Sequence, residues 1–204
     1  MPARLFAAIA LVFLFCGCQA IMLKMYGIKN PKVEDHASIR KKAVHFDLDT
    51  TNIVTVRSEN FLKEYAGNSL PDAAIFDAKG NYIEYRVTDT SCNAGLFDFI
   101  PALVPAGPYN KTAKTTLDIE LAKFLDLDGR PIKPVVEPGI DFYVLIYWAV
   151  WEGRLNKDHV KAWEDLAKAN QKAHIKVIKV DMDFQQYWSP EERQRILDKV
   201  SKHK

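Results

Sequence analysis

The stretch FYVLIYWAVW, residues Phe142–Trp151, decides the fold. It is nearly continuous apolar sequence, rich in β-branched and aromatic residues, and it is shorter than the roughly 20 residues that a membrane-spanning helix needs. It predicts a β-strand that is buried on both faces, because a strand with one solvated face would alternate apolar with polar residues. The rest of the chain must therefore supply elements that cover both sides of this strand.

The elements after this strand alternate between helix and strand. Asn156 to Ala173 predicts an amphipathic helix, and Ile175 to Asp181 predicts a second strand. Ser189-Pro190-Glu191-Glu192 begins the last helix with a capping box and a proline at its first position. Two strands and two helices are too few to cover so apolar a strand, so we expect the preceding half of the chain to complete the same sheet.

The preceding half carries its own strand and helix signals. The clearest is a hairpin with Ala73–Phe76 and Tyr82–Val87 as its strands, where Gly80 supplies the positive φ that a bulged loop needs. Other segments are predicted as a helix over 35–42, a strand over 52–56, and helices over 59–65 and 96–103. Between the halves, Leu117 to Leu125 predicts a helix finishing at Gly129, within a proline-containing connector that spans 105–138.

Two patches resemble thioredoxin-like proteins. In that family a buried strand ends in Trp-Ala-x-Trp and runs into Cys-Gly-Pro-Cys, and Tyr143 to Leu155 is similar to this pattern with Glu152 and Leu155 at the cysteine positions. Ser69 to Asp77, with Lys79-Gly80, resembles the proline-plus-hairpin module of the family, but it precedes the first patch. The resemblance implies an α/β fold, a thioredoxin-like mixed sheet flanked by helices, with permuted strand order. The alternatives are two unrelated subdomains or another α/β fold built from the same elements.

The resemblance also implies what the site does. A thioredoxin attacks with a thiolate whose pKa is lowered at a helix N-terminus, and a carboxylate at that position has no nucleophilic sulfur. We therefore expect no disulfide exchange and no cofactor. The family binds partner peptides at this edge, which predicts a binding edge for a protein or peptide partner made of Trp151, Glu152, Arg154, Pro71 and Trp188. The alternative is that Trp151 and Trp188 only plug the edge of the sheet.

The first 23 residues predict membrane attachment. Arg4 precedes the apolar run 5–15, as in a secretory signal. Leu14-Phe15-Cys16-Gly17-Cys18 resembles a bacterial lipobox, in which Cys18 receives lipid; the alternative is an uncleaved span, because apolar residues continue to Leu23. Both place a domain in the cell envelope on the non-cytoplasmic side. We expect a leader over 1–23, a tether over 24–34 and one domain over 35–204, with halves 35–104 and 112–204.

Composition and charge exclude several classes. The 28 basic and 26 acidic residues are spread along the chain, which argues against nucleic acid as a partner. With Cys16 and Cys18 in the leader, the domain holds only Cys92 and cannot form an internal disulfide. A lone cysteine is most often a small buried residue. Histidines are scattered without metal-ligand spacing, which predicts no metal site; they include His36, His159 and His174.

One motif points to an enzyme instead. His45-Phe46-Asp47-Leu48-Asp49-Thr50-Thr51 matches the Asp-x-Asp-x-Thr signature of haloacid-dehalogenase-like phosphatases. That resemblance implies a magnesium-dependent phosphatase with Asp47 as nucleophile and Asp49 as acid/base. It needs a strand over 43–46 to deliver Asp47, and a second acidic pair for which only Asp181 and Asp183 can be nominated. A third possibility is a purely structural lipoprotein without a saturable partner.

Overall fold

The apolar stretch forms the predicted central strand over Phe142–Trp148, and all of its residues are buried. Successive side chains point into two different hydrophobic layers, one on each side of the sheet. Phe142, Val144, Ile146 and Trp148 lie in one layer, and Tyr143, Leu145 and Tyr147 lie in the other. The strand is therefore buried on both faces, as its composition predicts.

A computed structural model describes residues 23–67, 69–88, 93–132 and 136–201. The strands are β1 (Val33–Glu34), β2 (Ile53–Val56), β3 (Asp72–Asp77), β4 (Asn81–Ile83), β5 (Lys111–Thr116), β6 (Phe124–Asp126), β7 (Phe142–Trp148), β8 (Ile175–Asp181) and β9 (Phe184–Gln185). The helices are α1 (His36–His45), α2 (Ser58–Gly67), α3 (Leu96–Ala102), α4 (Leu117–Leu121), α5 (Ala162–Ala169) and α6 (Pro190–Ser201). Short 3₁₀ turns cover Asn93–Gly95 and Val150–Glu152, and a π-helical segment, Asn156–Lys161, leads into α5.

Seven strands form one mixed sheet in the order β5-β4-β3-β7-β8-β2-β6. The central strand β7 is parallel to β8 and antiparallel to β3. The predicted fold class is confirmed: the chain is α/β, with a mixed sheet flanked by helices, and it is consistent with a thioredoxin-like class. Because hairpin β3–β4 and the β7–β8 unit share this sheet, the alternative of two unrelated subdomains is wrong.

The connector between the halves differs from its prediction. The expected helix over 117–125 ends at Leu121, and Phe124–Asp126 forms strand β6 antiparallel to β2. Lys111–Thr116 forms strand β5 beside β4. The helical spacing of Leu117, Leu121 and Phe124 predicts too long a helix. The backbone of residues 124–126 bonds to the open edge of the sheet at β2 instead of continuing the helix.

The residues before the domain lie against it. The predicted tether, 24–34, pairs in parallel with β9 through β1, and the backbone N–H of Lys29 donates to the carbonyl oxygen of Trp151 (2.9 Å). The backbone N–H of Arg154 donates to the carbonyl oxygen of Tyr26 (2.7 Å). In the described part of the chain no helix is long and apolar enough to cross a membrane. Residues 5–15, Cys16 and Cys18 lie outside that part.

Gly153 makes this close approach possible. A Cβ atom at Gly153 would lie 2.5 Å from the carbonyl oxygens of Tyr26 and of Gly27. The residue also has φ 58° and ψ −127°, a conformation that side chains strongly disfavour. The docking of the N-terminal segment therefore depends on a glycine at this position.

We expect Gly153→Ala to lower the free energy of unfolding by about 2 kcal/mol or more, because it adds backbone strain and a clash with residues 26–27. Gly129→Ala is the matched control, since Gly129 also has positive φ (76°) but a Cβ atom added there would have nothing within 4 Å. It should cost about 1 kcal/mol. Urea unfolding measures both, and hydrogen exchange at the amides of Lys29 and Arg154 should rise in Gly153→Ala alone. Equal effects of the two substitutions would contradict the close approach.

Candidate functional site

The turn that follows β7 is held by side chains from two other elements. The backbone N–H of Val150 donates to Oδ2 of Asp183 (2.6 Å), and Nδ2 of Asn156 donates to the carbonyl oxygen of Ala149 (2.8 Å). The backbone N–H of Met182 donates to the carbonyl oxygen of Trp148 (2.8 Å). These bonds fix residues 149–152, where the resemblance places the first cysteine, at the carboxyl end of the central strand.

The proline loop reaches the same end of the sheet. The peptide bond Leu70–Pro71 is cis, and Asp72 pairs with Tyr147, so Pro71 comes next to the position of Trp148 in the antiparallel register. The loop is anchored by Asp72, whose two carboxylate oxygens each lie 2.6 Å from an Arg86 guanidinium nitrogen. The structure thus brings Pro71 and the 150–152 turn together at one end, although they are far apart in sequence.

The predicted edge residues differ in exposure. Trp151 is half-buried, and the side chain of Arg154 is 67% exposed and pairs with Asp158 (3.0 Å). Pro71 and Glu152 are buried. Trp188 is buried, so its side chain does not belong to the exposed part of the predicted binding edge. It packs in the core, where its ring centroid lies 5.1 Å from that of Phe61. Trp188 therefore fills the sheet end, which the alternative interpretation expected, and Trp151 and Arg154 remain as surface residues.

Glu152, which the sequence resemblance aligns with a cysteine, carries a buried carboxyl group. Its side chain forms no hydrogen bond or ion pair with any residue that the structure describes, and burial raises the pKa of the carboxyl group to about 7. Burial raises the pKa of the Tyr65 hydroxyl, and the nearby charge of Glu152 raises this pKa further. Glu152 can therefore gain or lose a proton near neutral pH, but it offers no thiol chemistry.

Replacing this carboxyl group should change how stability depends on pH. The folded state binds the proton of Glu152 more tightly than the unfolded chain, whose Glu has a pKa near 4.5. The resulting stabilisation is complete below that pH and is lost as the pH rises through about 7. We expect Glu152→Gln to match the unaltered protein at pH 4 and to exceed its stability at pH 8 by about 2–3 kcal/mol.

Urea unfolding at both pH values measures this effect. Glu59→Gln, which alters an exposed carboxylate on α2, is the control and should leave the pH dependence unchanged. Equal stability of Glu152→Gln and the unaltered protein at pH 8 would contradict the burial of this carboxylate.

A second pair of buried acids lies beside the turn. Burial raises the pKa of Asp181 to about 6, and burial together with the charge of Asp181 raises the pKa of Asp183 well above its usual value. Gln185 Nε2 donates to Asp181 Oδ1 (2.7 Å), and Asp183 receives the Val150 N–H described above. The pair therefore has a structural role, since Asp183 positions the turn and Gln185 positions Asp181.

The phosphatase motif lacks its supporting strand. Residues 43–45, expected to be part of a strand, belong to helix α1, so that prediction is wrong. Asp47 and Asp49 lie in the following loop, where Asp47 pairs with Lys157 (2.8 Å) and Asp49 pairs with Lys168 (3.2 Å). Hydrogen bonding to Lys157 lowers the pKa of Asp47, and the backbone N–H of Thr51 lowers the pKa of Asp49 to about 2. Both carboxylates are therefore engaged by lysines or backbone, and Lys157, the partner of Asp47, belongs to the segment that follows the turn after β7.

The structure also locates the other candidate ligands. Within the described residues no group of three or more His, Cys, Asp or Glu side chains converges as a metal site. His159 packs between Phe97 and Trp163, with ring centroids 5.7 and 5.5 Å from its own. Cys92 lies outside the described residues.

Sequence reasoning missed a cleft of about 480 Å³ between the N-terminal segment and the turn after β7. We call it the cationic cleft. Its charged and titratable lining residues are Lys24, Lys29, Lys32, Lys42, His45, Arg154, Lys157 and Glu34. Three of these lysines fall within residues 24–32, which was the available signal, but the others come from α1 and from the segment after β7.

No protein-family model, curated protein or solved structure matches the chain.

Proposed function

We propose that this chain is a membrane-anchored, redox-inactive protein of the thioredoxin-like class that binds or scaffolds another protein of the cell envelope. The observation that carries the proposal is Glu152: a buried carboxyl group stands at the end of the central strand where the family has its attacking cysteine. The half-buried Trp151 and the exposed Arg154 flank it. The site keeps an aromatic and charged surface while lacking the sulfur that disulfide exchange needs.

The arrangement of the sheet supports the thioredoxin-like part of the proposal. The strand that precedes Glu152 lies between a parallel strand, β8, and the antiparallel hairpin β3–β4, which Pro71 introduces. This is the arrangement that the two resembling patches imply when the hairpin is placed earlier in the chain. The permuted order follows from the position of the hairpin before β7.

The contacts of the turn indicate how a partner would bind. The carbonyl oxygen of Trp151 and the N–H of Arg154 already bond to the N-terminal segment. A partner would therefore contact the side chains of Trp151 and Arg154 rather than add a strand to this backbone. Tryptophan and arginine are the residue types that most often dominate binding energy in protein interfaces.

The leader supports the anchored part of the proposal. Arg4, the apolar run 5–15 and the lipobox-like residues ending at Cys18 predict export followed by lipid attachment. Mass spectrometry of the mature N-terminus is the direct test. A lipid-modified Cys18 at the new N-terminus supports the lipoprotein form, whereas an unlipidated chain that begins at Met1 contradicts it.

We expect Trp151→Ala and Arg154→Ala to reduce capture of the envelope partner by about tenfold each, because each removes a side chain that can contact it. Quantitative crosslinking in membranes, followed by mass spectrometry, measures the capture. Ile119→Ala and Arg195→Ala are matched controls, since both residues are exposed on other elements. Capture that is equal in all four variants would contradict the proposed edge.

A second expectation concerns redox chemistry. The purified protein should not reduce insulin disulfides, because Glu152 and Leu155 supply no thiolate. The double variant Glu152→Cys with Leu155→Cys places two thiols three residues apart at the start of a helical segment and should gain measurable activity. Robust insulin turnover by the unaltered protein would contradict the redox-inactive assignment, and an inactive double variant would argue against a thioredoxin-like site.

A further inference from the structure

The lining of the cationic cleft carries an excess of positive charge, whereas the charges of the whole chain are nearly balanced. The chain carries 28 basic and 26 acidic residues, yet six lysines and arginines line the cleft beside one carboxylate, Glu34. Two of the six cations are paired at its margin, Arg154 with Asp158 and Lys157 with Asp47. The remaining four have no ion-pair partner among the residues that the structure describes; they are Lys24, Lys29, Lys32 and Lys42. Such a field favours an anionic ligand.

The rest of the lining is apolar or aromatic. The cleft is also bordered by Met25, Tyr26, Phe46, Val150 and Trp151, and Gly27 and Gly153 bring two backbone segments close together. A ligand that suits both parts of the lining has a negative charge at one end and an apolar body. Small phosphate-bearing metabolites such as glycerol 3-phosphate lack that apolar body.

The cleft lies close to the predicted leader in sequence. Lys24 is the first residue after the leader, and the extended chain advances at most about 3.6 Å per residue. If the leader spans the membrane up to Leu23, Lys24 lies within about one Debye length of the lipid headgroups. If the anchor is a lipid on Cys18, Lys24 follows six residues later and lies at most about 22 Å from the lipidated residue. Basic residues next to a membrane anchor are attracted to anionic lipids by about 1 kcal/mol each.

We propose that the cationic cleft binds the headgroup of an anionic phospholipid, with the lysines around its phosphate and Trp151 and Tyr26 beside its glycerol and upper acyl region. The inference rests on the membrane anchor of the proposed function. An acidic peptide fits less well, because its carboxylates supply the negative charge without the apolar body that Met25, Phe46 and Val150 would contact.

Titration of the full-length protein in a neutral detergent tests the proposal. The probe is dihexanoyl phosphatidylglycerol, and the signal is the fluorescence of Trp151, which is half-buried in the cleft while Trp148, Trp163 and Trp188 are buried. Trp151→Phe should remove the signal. Dihexanoyl phosphatidylcholine controls for partitioning into detergent, glycerol 3-phosphate tests for a free-phosphate site, and hexaglutamate tests for an acidic-peptide site.

The lysine variants connect the signal to the cleft. Combined Lys29→Gln, Lys32→Gln and Lys42→Gln should weaken phosphatidylglycerol binding by about 100-fold, or about fivefold for each lysine. Combined Lys172→Gln and Lys199→Gln is the matched control, since these exposed lysines lie away from the cleft and should leave the affinity unchanged. Circular dichroism confirms that both variants fold.

The proposal is supported if phosphatidylglycerol binds at least tenfold more tightly than the three other probes and only the cleft variant loses this binding. Equal affinity for phosphatidylcholine, for glycerol 3-phosphate or for hexaglutamate overturns it, as does unchanged binding by the cleft variant. Partner capture that still depends on Arg154, together with absent phosphatidylglycerol binding, would overturn this inference and leave the proposed function standing. Phosphatidylglycerol binding without partner capture would overturn the proposed partner binding and leave this inference standing.

Discussion

The burial of β7 on both faces is the constraint on which the rest of the structure depends. A strand with apolar side chains in both directions is stable only between two covered faces, and the segment after β7 supplies too little to cover both. The chain meets this requirement by placing hairpin β3–β4 on one side of β7 and β8 with β2 on the other. Helices from both halves of the sequence then close the two layers.

The same end of β7 collects groups that are costly to bury. Glu152, Asp181 and Asp183 lie in the turn or at the exit of β8, and burial raises the pKa of each. The cationic cleft lies beside this turn, with Val150, Trp151 and Gly153 in its lining. The buried carboxyl groups and the cationic lining of the cleft therefore belong to adjacent segments, joined where Asp183 accepts the backbone N–H of Val150.

The sequence predicts well the elements that carry a strong local signal. The strand β8 has the predicted bounds, Ile175 to Asp181, and α6 begins with the predicted capping box, in which the backbone N–H of Glu192 donates to Oγ of Ser189 (3.2 Å). Gly80 has positive φ, as its hairpin loop requires. These features are decided by apolar periodicity, capping chemistry and turn chemistry within a few residues.

The features that the sequence did not reveal depend on distant partners. Strand β6 exists because β2 offers an open edge, and helical spacing alone could not show that edge. Trp188 is buried because it packs on Phe61 and Phe184. Phe184 is nearby in sequence, but Phe61 is more than 100 residues away. The cationic cleft escaped notice because its lysines come from three separate segments. Local pattern therefore predicts the end of β7 as a candidate site, but it does not reveal the segment that covers this end.

Both outer strands of the sheet come from one short stretch, residues 111–126. Strand β5 is polar, with Lys111 and Lys114 exposed, and β6 has three residues and a single bridge from Leu125 to Pro131. Lysines, short length and proline are the means by which proteins prevent a sheet edge from pairing with another molecule. The connector therefore joins the two halves and also protects their shared sheet from edge-to-edge aggregation, a role that a plain linker could not fill.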